Sequence, residues 1–138
     1  KGELAMQLGA DEVILTTDAD AMKAASERFD LIVSTLPSDH NMDPFLKLLN
    51  RGGTYCVVGA VGTATHPFSL VNLMKRKRSI SGSMIGSTGE TQEMLDFCGK
   101  HNITADVELI SAEQINEAYE RVIVGDVQFR FVIDTATI

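Results

Sequence analysis

The sequence predicts an α/β protein built on a doubly wound parallel sheet, and three observations support that class. Short apolar runs alternate with helical patterns, and the connections between them are short. The run 54–58, TYCVV, is apolar or β-branched at consecutive positions, which is typical of a strand buried on both faces. Gly59 and Gly62 follow that run, where the chain must turn tightly. This alternation favours parallel crossovers over a meander or a helical bundle.

The first part of the chain predicts strands and helices in strict alternation. The predicted helices are 4–8, 19–27 and 45–49, and the predicted strands are 13–15, 29–34 and 54–58. Gly9 ends the first helix, and Arg51-Gly52-Gly53 is expected to stop the third, because glycine adopts the left-handed conformation that a helix end needs.

The next segment predicts a short helix and a strand of different character. Residues 68–75 favour a helix with Leu70, Leu73 and Met74 facing inward. Residues 79–84 alternate polar and apolar side chains around a glycine, which suits a half-covered strand near a sheet edge. Another chain could add its own strand there.

The remainder predicts two capped helices between two strands. Ser87 with Glu90, and Ser111 with Gln114, match the capping-box spacing that opens a helix. The first helix ends by Asn102 and the second at Gly125. The expected strands are 106–110 and 129–133. We place the best domain boundary near Gly86.

Composition excludes some function classes. The net charge of −7 argues against a general nucleic-acid binder, because phosphate contacts need clustered cations. The basic cluster 75–78 could still bind a phosphate or an acidic partner, although a solvated helix end is the favoured interpretation. Apolar runs are too short to predict a membrane span. Cys56 and Cys98 are far apart in sequence, which indicates reduced thiols and a cytoplasmic protein.

The sequence offers no complete catalytic set. His40, His66 and His101 lie in predicted loops or at a helix end, without the spacing of a zinc site, and we expect them to face solvent. GxSxG and GxGxxG motifs are absent from the sequence. Lys1 begins a helix that reads as already under way, so we expect the chain to be the later part of a longer protein.

The remaining candidates all lie at predicted strand ends. They are Thr35 and Leu36, then Val58, Gly59 and Ala60, then Ser83 to Ile85. Backbone amides and small side chains could line a crevice there that accepts a flat cofactor ring. The alternative is that these residues only form loops.

At these residues the chain resembles a known family. The segments that carry the resemblance are LGADEV (8–13), FDLIVST (29–35), LLNRGGTYCVVGA (48–60), SISGSMIGS (79–87), ETQEMLDFC (90–98), QINEAYERV (114–122) and FRFVID (129–134). Together and in order, they resemble the carboxyl-terminal part of the zinc-containing medium-chain alcohol dehydrogenases, most closely the NADP(H)-dependent cinnamyl-alcohol-dehydrogenase-like branch.

The resemblance implies a partial Rossmann-type sheet in residues 1–86, the second half of a dinucleotide-binding domain. Residues 87–138 would be a carboxyl-terminal segment that packs on the catalytic domain. The zinc ligands, the proton-relay groups and the glycine-rich turn of the family would lie upstream, so zinc would be bound outside this chain. The chain alone is then expected to be inactive.

The resemblance also implies cofactor contacts. Lys1 matches the basic residue near the 2′-phosphate of NADP(H), and Arg130 matches the arginine near the pyrophosphate. The other matches are Thr35 and Leu36 bordering the adenosine and the nicotinamide ribose, Val58, Gly59 and Ala60 on the nicotinamide side, and Ser83 and Ile85 at the carboxamide. Arg130 could instead pair with Asp134 or Glu108.

Three functional hypotheses follow. The first is part of an oxidoreductase that moves a hydride between NADP(H) and an alcohol or aldehyde, with no nucleic-acid or membrane partner. The second is a structural module that forms a homodimer through the strand at Ser79–Ser83. The third is a small α/β binding module of the flavodoxin type, which leaves the segment after Gly86 unexplained.

Overall fold

The computed structural model describes residues 2–59 and 62–138, and the chain divides into two compact units. Unit 1 is Lys1–Ile85 and unit 2 is Gly86–Ile138. Two of the predicted cofactor residues, Lys1 and Ala60, lie outside the described residues. None of the described helices is long and apolar enough to cross a membrane.

Unit 1 contains a parallel sheet, as the sequence predicts. Its strands are β1 (Phe29–Ser34), β2 (Leu49–Val57) and β3 (Ser79–Gly82), in the order β1-β2-β3. Helices α1 (Gly2–Gln7), α2 (Ala19–Ala24), α3 (Asp43–Leu48) and α4 (Leu70–Met74) precede or connect them. The predicted parallel α/β class is therefore confirmed, and β3 lies at an edge of this sheet.

The glycine stop predicted at residues 51–53 is wrong. Helix α3 already ends at Leu48, and Leu49 has the extended conformation that starts β2. Gly52, with a φ of 78°, bends β2 and donates its N–H to the Arg76 carbonyl at 2.8 Å. The register with β1 shifts at this point. Gly52 and Gly53 therefore form an irregularity inside β2. The positive φ of Gly52 serves this bend in a strand instead of the helix end that we predicted.

The strand predicted at 13–15 is also wrong. Residues 13–15 join neither of the two described sheets, and Leu15 is 63% exposed. An apolar run becomes a strand only where a neighbouring strand accepts and donates its backbone hydrogen bonds. No described strand does so here.

The core of unit 1 lies between α3 and the sheet. Leu46, Leu49 and Tyr55 are fully buried, and Phe68 and Leu73 pack against them. Leu73 thus faces inward as predicted. The inward orientation predicted for Leu70 and Met74 is wrong, since these side chains are 64% and 76% exposed. Phe68, which precedes α4, packs against the core in place of Leu70 and Met74.

The opposite face of the sheet is open within unit 1. Leu31 and Val33 on β1 are more than half exposed. The alternate residues of the same strand face the other way: Ile32 packs against the core and Ser34 is buried. In the run 54–58, for which burial on both faces was predicted, Tyr55 is buried, but Val58 is 41% exposed and the other three residues are half-buried. Complete burial of that strand on both faces is therefore not observed in unit 1. The apolar run identifies the strand correctly but needs a covering layer to bury its second face.

The basic cluster is not the solvated helix end that we favoured. The Arg78 side chain is only 5% exposed, and its guanidinium donates to the carbonyls of Leu49 and Asn72. Arg76 forms an ion pair with Glu27. Arg78 thus binds the segment before β3 to the start of β2, and Arg76 binds it to Glu27 in the turn before β1.

Unit 2 contains two helices and a short parallel sheet. Helix α5 (Thr88–His101) and helix α6 (Ile115–Ile123) accompany β4 (Glu108–Ile110) and β5 (Phe131–Ile133). Both capping boxes form as predicted, Asn102 closes α5 in the left-handed conformation, and Gly125 follows α6. The predicted starts of the strands at 106 and 129 are wrong. Phe129 has a φ of 76°, which breaks the extended run before Arg130.

Candidate functional site

The three strands of unit 1 end at one edge of the sheet. Ser34, Val57 and Gly82 lie side by side in register, and each is the last residue of its strand. Since the strands are parallel, the residues that follow them emerge at the same edge. These are Thr35 and Leu36 after β1, Val58 and Gly59 after β2, and Ser83 to Ile85 after β3.

Gly59 allows two of these strand ends to approach closely. The N–H groups of Val58 and Gly59 both donate to the Ser34 carbonyl, at 2.9 and 3.1 Å. A Cβ atom added to Gly59 would lie 2.1 Å from the Leu36 carbonyl oxygen. Any other residue would push the two segments apart, so glycine is required here for its size. The Ser34 hydroxyl, buried at this junction, has no hydrogen-bond partner among the described residues.

A groove of about 630 Å³ opens between the ends of β2 and β3. It is lined by Val57, Val58, Gly59, Gly82, Ser83, Met84 and Ile85. The Ser83 N–H donates to the Val57 carbonyl at 3.1 Å, which fixes the start of one wall, and Ile85 is 95% exposed. Small and apolar side chains with accessible backbone form a surface against which a flat ring can lie.

A carboxylate ties together the loops that follow β1 and β2. Asp39 accepts hydrogen bonds from the Thr65 N–H at 2.9 Å, from the Thr65 hydroxyl and from His66 Nδ1 at 3.0 Å. The Thr65 hydroxyl has the largest effect and, with the other donors, holds the pKa of Asp39 below its ordinary value. His66 therefore contacts a carboxylate, which we did not expect of a solvent-facing histidine.

A second carboxylate, that of Asp43 at the start of α3, also binds the chain that follows β2. Asp43 accepts from the Ser69 N–H at 3.0 Å and from the Asn72 side-chain amide at 2.7 Å. The Ser69 bond is the larger of the causes that lower the pKa of Asp43. The loop that leaves the groove at Gly59 is thus tied, from residue 65 to residue 72, to the segment that follows β1.

The expectation that His40 faces solvent is wrong. This residue is half-buried, with Nδ1 2.8 Å from the Ser38 carbonyl and Nε2 2.9 Å from the Tyr55 hydroxyl. Because a carbonyl can only accept, Nδ1 carries a proton, and Nε2 shares a hydrogen bond with the Tyr55 hydroxyl. The sequence signal was the tyrosine itself, because a buried Tyr hydroxyl needs a partner.

Arg130 lies in unit 2, immediately before β5. It is exposed, and its carbonyl accepts from the Glu108 N–H at 3.0 Å. The proposed pairing of its guanidinium with Glu108 or Asp134 is wrong. Glu108 binds Arg121 at 2.8 Å, and the Asp134 side chain caps the Ala136 N–H at 2.9 Å. Among the described residues Arg130 makes no ion pair.

The structure thus brings most of the predicted site residues together. Thr35, Leu36, Val58, Gly59, Ser83 and Ile85 follow adjacent strands at one edge of the sheet. Lys1 and Ala60 are not described, and Arg130 belongs to the other unit. Within residues 2–59 and 62–138, no three His, Cys, Asp or Glu side chains are grouped so that they could hold a metal ion.

Comparison with known proteins identifies the family of this chain. Residues 1–100 match the family described as zinc-binding dehydrogenase. Aldehyde reductase YahK of Escherichia coli is 52% identical over 138 residues, which are 100% of this chain and 40% of that protein. Alcohol dehydrogenase 9 of Catharanthus roseus is 47% identical over 136 residues, 99% of this chain and 37% of that protein. The chain therefore spans about two fifths of the length of these relatives.

Solved structures agree with the sequence relatives. A cinnamyl alcohol dehydrogenase of Sorghum bicolor matches with a TM-score of 0.84 and 38% identity, over 97% of this chain and 38% of that one. The CAD of Helicobacter pylori, solved in complex with NADP(H), matches with a TM-score of 0.68 and 36% identity. That match covers 83% of this chain and 34% of the other. The sheet of unit 1 is thus of the Rossmann type.

Proposed function

The chain belongs to the zinc-binding dehydrogenase family, and from that membership we propose that it supplies part of the cofactor crevice of an NADP(H)-dependent alcohol dehydrogenase. The substrate class is a small aldehyde or alcohol, as the names of the relatives indicate. When bound, the nicotinamide supplies the hydride that passes to or from the carbonyl carbon. The residues of this chain bind and orient the dinucleotide.

The observation that carries the proposal is the convergence of three strand ends at one edge of the sheet, where a groove opens between two of them. Ligands of open α/β sheets bind beyond the carboxyl ends of the strands. Gly59 brings its strand end within contact of Leu36, and the groove beside it has room for a flat ring. The buried Ser34 hydroxyl adds a polar group at the junction that no described residue satisfies. These features fit a nicotinamide nucleotide.

We assign roles by position at this edge. Val58 and Gly59 form the nicotinamide side, to which Ala60 is added from the family pattern alone, and Ser83 and Ile85 meet the carboxamide through the backbone. Ser83 and Ile85 are exposed, and a backbone carbonyl and N–H at the end of β3 suit that role, because a carboxamide both donates and accepts hydrogen bonds; the Ser83 N–H itself is already bound to the Val57 carbonyl. Thr35 and Leu36 border the ribose.

The phosphate contacts are assigned to cations. Arg130 donates to the pyrophosphate, since a planar guanidinium pairs well with phosphate oxygens. Its support is that it is exposed and carries a charge that no described carboxylate neutralises. Lys1 is assigned to the 2′-phosphate of NADP(H) from its place in the family pattern alone.

The family metal is assigned to residues outside this chain. The described residues offer no suitable group of ligands, so the part that we assign to this chain is to bind and orient the cofactor. We expect no aldehyde reduction when the purified chain is mixed with NADPH, zinc and an aromatic aldehyde. Zinc-dependent turnover by the chain alone would overturn this assignment.

The assignment of Arg130 is tested by cofactor affinity. Arg130→Ala should weaken NADPH binding about tenfold, the effect of losing one charge-assisted hydrogen bond, as measured by NMR titration of amide signals. Lys100→Ala is the matched control, because it removes an exposed cation from the same unit. Equal affinities for Arg130→Ala and Lys100→Ala, with both variants folded, would remove Arg130 from the site.

A second candidate function is dimerisation, favoured by the position of β3. It lies at the edge of its sheet, and Ser79, Ser81 and Gly82 are exposed. Unpaired N–H and C=O groups at such an edge can add a strand from a second copy. Ser81→Pro should abolish the dimer. A clean monomer of the unmodified chain at high concentration in sedimentation would count against it.

The proposed location is the cytoplasm, with no nucleic-acid or membrane partner. Cys56 and Cys98 are free thiols in the structure, as expected of a reducing compartment. The acidic net charge disfavours binding to phosphate backbones.

A further inference from the structure

A strained residue precedes the cation that the proposed function assigns to the pyrophosphate. Within residues 86–138, all of them described, Asn102 and Phe129 are the non-glycine residues with positive φ. Asn102 closes a helix, a common place for this conformation. Phe129 has a φ of 76°, which a bulky side chain rarely adopts unless its surroundings impose it. The next residue is Arg130.

Glu108 holds the backbone on both sides of Phe129. Its N–H donates to the Arg130 carbonyl at 3.0 Å, which is the first bond of the β4–β5 pairing region. Its carboxylate Oε1 accepts from the Gln128 N–H at 2.8 Å. One residue therefore fixes the residue before and the residue after the strained position. Phe129 itself, 54% exposed, has little packing that could impose its conformation.

The Glu108 carboxylate is in turn held by Arg121 on α6. Arg121 Nη2 lies 2.8 Å from Glu108 Oε2, and its Nε lies 3.0 Å from Asp126 Oδ2. The guanidinium carbon of Arg121 lies 4.7 Å from the centre of the Phe131 ring, a cation–π contact. The bonds from Gln128 and Arg121 lower the pKa of Glu108, so the carboxylate is ionised at neutral pH.

This network also decides which arginine is free. Glu108 and Asp126 both bind Arg121, so each of these carboxylates already has a cationic partner, although the three side chains together keep a net charge of −1. Arg130, the other arginine of this segment, has no ion pair among the described residues and is exposed. A permanent cation without a carboxylate partner is available for a phosphate.

We propose that Glu108 is a positioning residue that fixes Arg130 for the pyrophosphate of a dinucleotide by holding Phe129 in the left-handed conformation. The inference rests on the proposed function of Arg130. It adds that the affinity of Arg130 for phosphate depends on a carboxylate that touches neither the cofactor nor the substrate. A preorganised donor binds more tightly than a mobile one, because less freedom is lost on binding.

The experiment is a double-mutant cycle on NADPH affinity, measured by NMR titration of the full chain. Glu108→Gln keeps the size of the side chain and one oxygen that can accept from Gln128, but it removes the ion pair with Arg121 that orients this oxygen. We expect Glu108→Gln to weaken NADPH binding about threefold, and Arg130→Ala about tenfold. The double variant should be no weaker than Arg130→Ala, because Glu108 acts through Arg130. Glu117→Gln, an exposed glutamate on α6, is the matched control and should leave the affinity unchanged.

The outcomes separate the two proposals. If Arg130→Ala binds NADPH normally, the role of Arg130 fails and this inference fails with it. If Arg130→Ala weakens binding but the two losses multiply in the double variant, only the positioning role of Glu108 is overturned. Reduced nicotinamide riboside, which carries no phosphate, should bind Glu108→Gln and the unmodified chain equally.

A second variant keeps the test independent of the Glu108 network. Phe129→Gly relieves the strained φ, so we expect the free energy of unfolding to change little or to rise. NADPH binding should nevertheless weaken about threefold, because Arg130 regains conformational freedom. Unchanged NADPH affinity in folded Phe129→Gly would show that the conformation of residue 129 does not serve Arg130.

Discussion

The two units of this chain hold their functional residues in place by different means. Unit 1 buries Leu46, Leu49 and Tyr55 between a helix and the sheet, and the strand ends that form the groove extend from that core. In unit 2, all of which is described, only Ile110 and Ala118 are buried. The conformation around Arg130 instead depends on charged and polar side chains, above all Glu108 and Arg121.

The difference shows that two kinds of interaction hold the backbone in place around the candidate residues. Apolar packing fixes the backbone of the groove, where no charge is needed. In unit 2 the network of ion pairs both shapes the segment and leaves one cation unpaired. We therefore expect unit 1 to respond most to changes in volume and unit 2 to changes in charge.

The largest expected effect is the loss of core volume in unit 1. Leu46→Ala removes most of a fully buried side chain, which should lower the free energy of unfolding by about 3 kcal/mol. Leu95→Ala on α5, where the side chain is 54% exposed, should lower it by about 0.5 kcal/mol. Urea denaturation followed by circular dichroism measures both. Equal losses would contradict the contrast between the units.

A pair of glycine variants gives the next largest effect, with opposite signs. Gly59→Ala places a methyl group against the Leu36 carbonyl, so we expect a loss of about 2 kcal/mol in stability and a widened groove. Gly99→Ala on α5 meets no atom within 4 Å and should raise stability by about 1 kcal/mol. A Gly59→Ala protein as stable as the parent chain would show that the close approach at the groove is not required.

The smallest effect is the pH dependence that Asp39 introduces into unit 1. Its pKa is lowered in the folded state by the Thr65 and His66 donors, so its contribution to stability is present above the unfolded pKa of about 4. That contribution is lost as the pH falls below this value. The melting temperature of the unmodified chain should therefore drop more steeply between about pH 5 and pH 3 than that of Asp39→Asn. Parallel curves would mean that the loop contact contributes nothing to stability.

Local signals in the sequence identified much of this fold. The bounds of β1 and both capping boxes follow from short-range chemistry, and the structure reproduces them. The parallel sheet follows from alternation. The errors at 13–15 and at 51–53 have one cause, because both depend on hydrogen bonds to distant residues. Residues 13–15 lack a strand partner among the described strands, whereas Gly52 has a partner in the Arg76 carbonyl.

The candidate site was predictable to the same extent. Residues at the ends of parallel strands must share an edge, and that rule selected Thr35, Gly59 and Ser83 correctly as neighbours. The partners of Asp39 and Arg121 were not predictable, since each contact joins residues that are distant in the sequence and that only the fold brings together. The strained Phe129 gave no signal either, because nothing in its side chain favours the left-handed region.

The most direct test of the account is to map NADPH onto the chain by NMR, with isotope-labelled protein and assigned backbone amides. We predict saturable shifts at Val58, Gly59, Ser83 and Ile85 in unit 1 and at Arg130 in unit 2. No shift should occur around α2, which leads into the amino end of β1 rather than following its carboxyl end. Saturable shifts that leave Gly59 and Ser83 unmoved, or no saturable shift at any amide, would contradict a cofactor crevice at the end of this sheet.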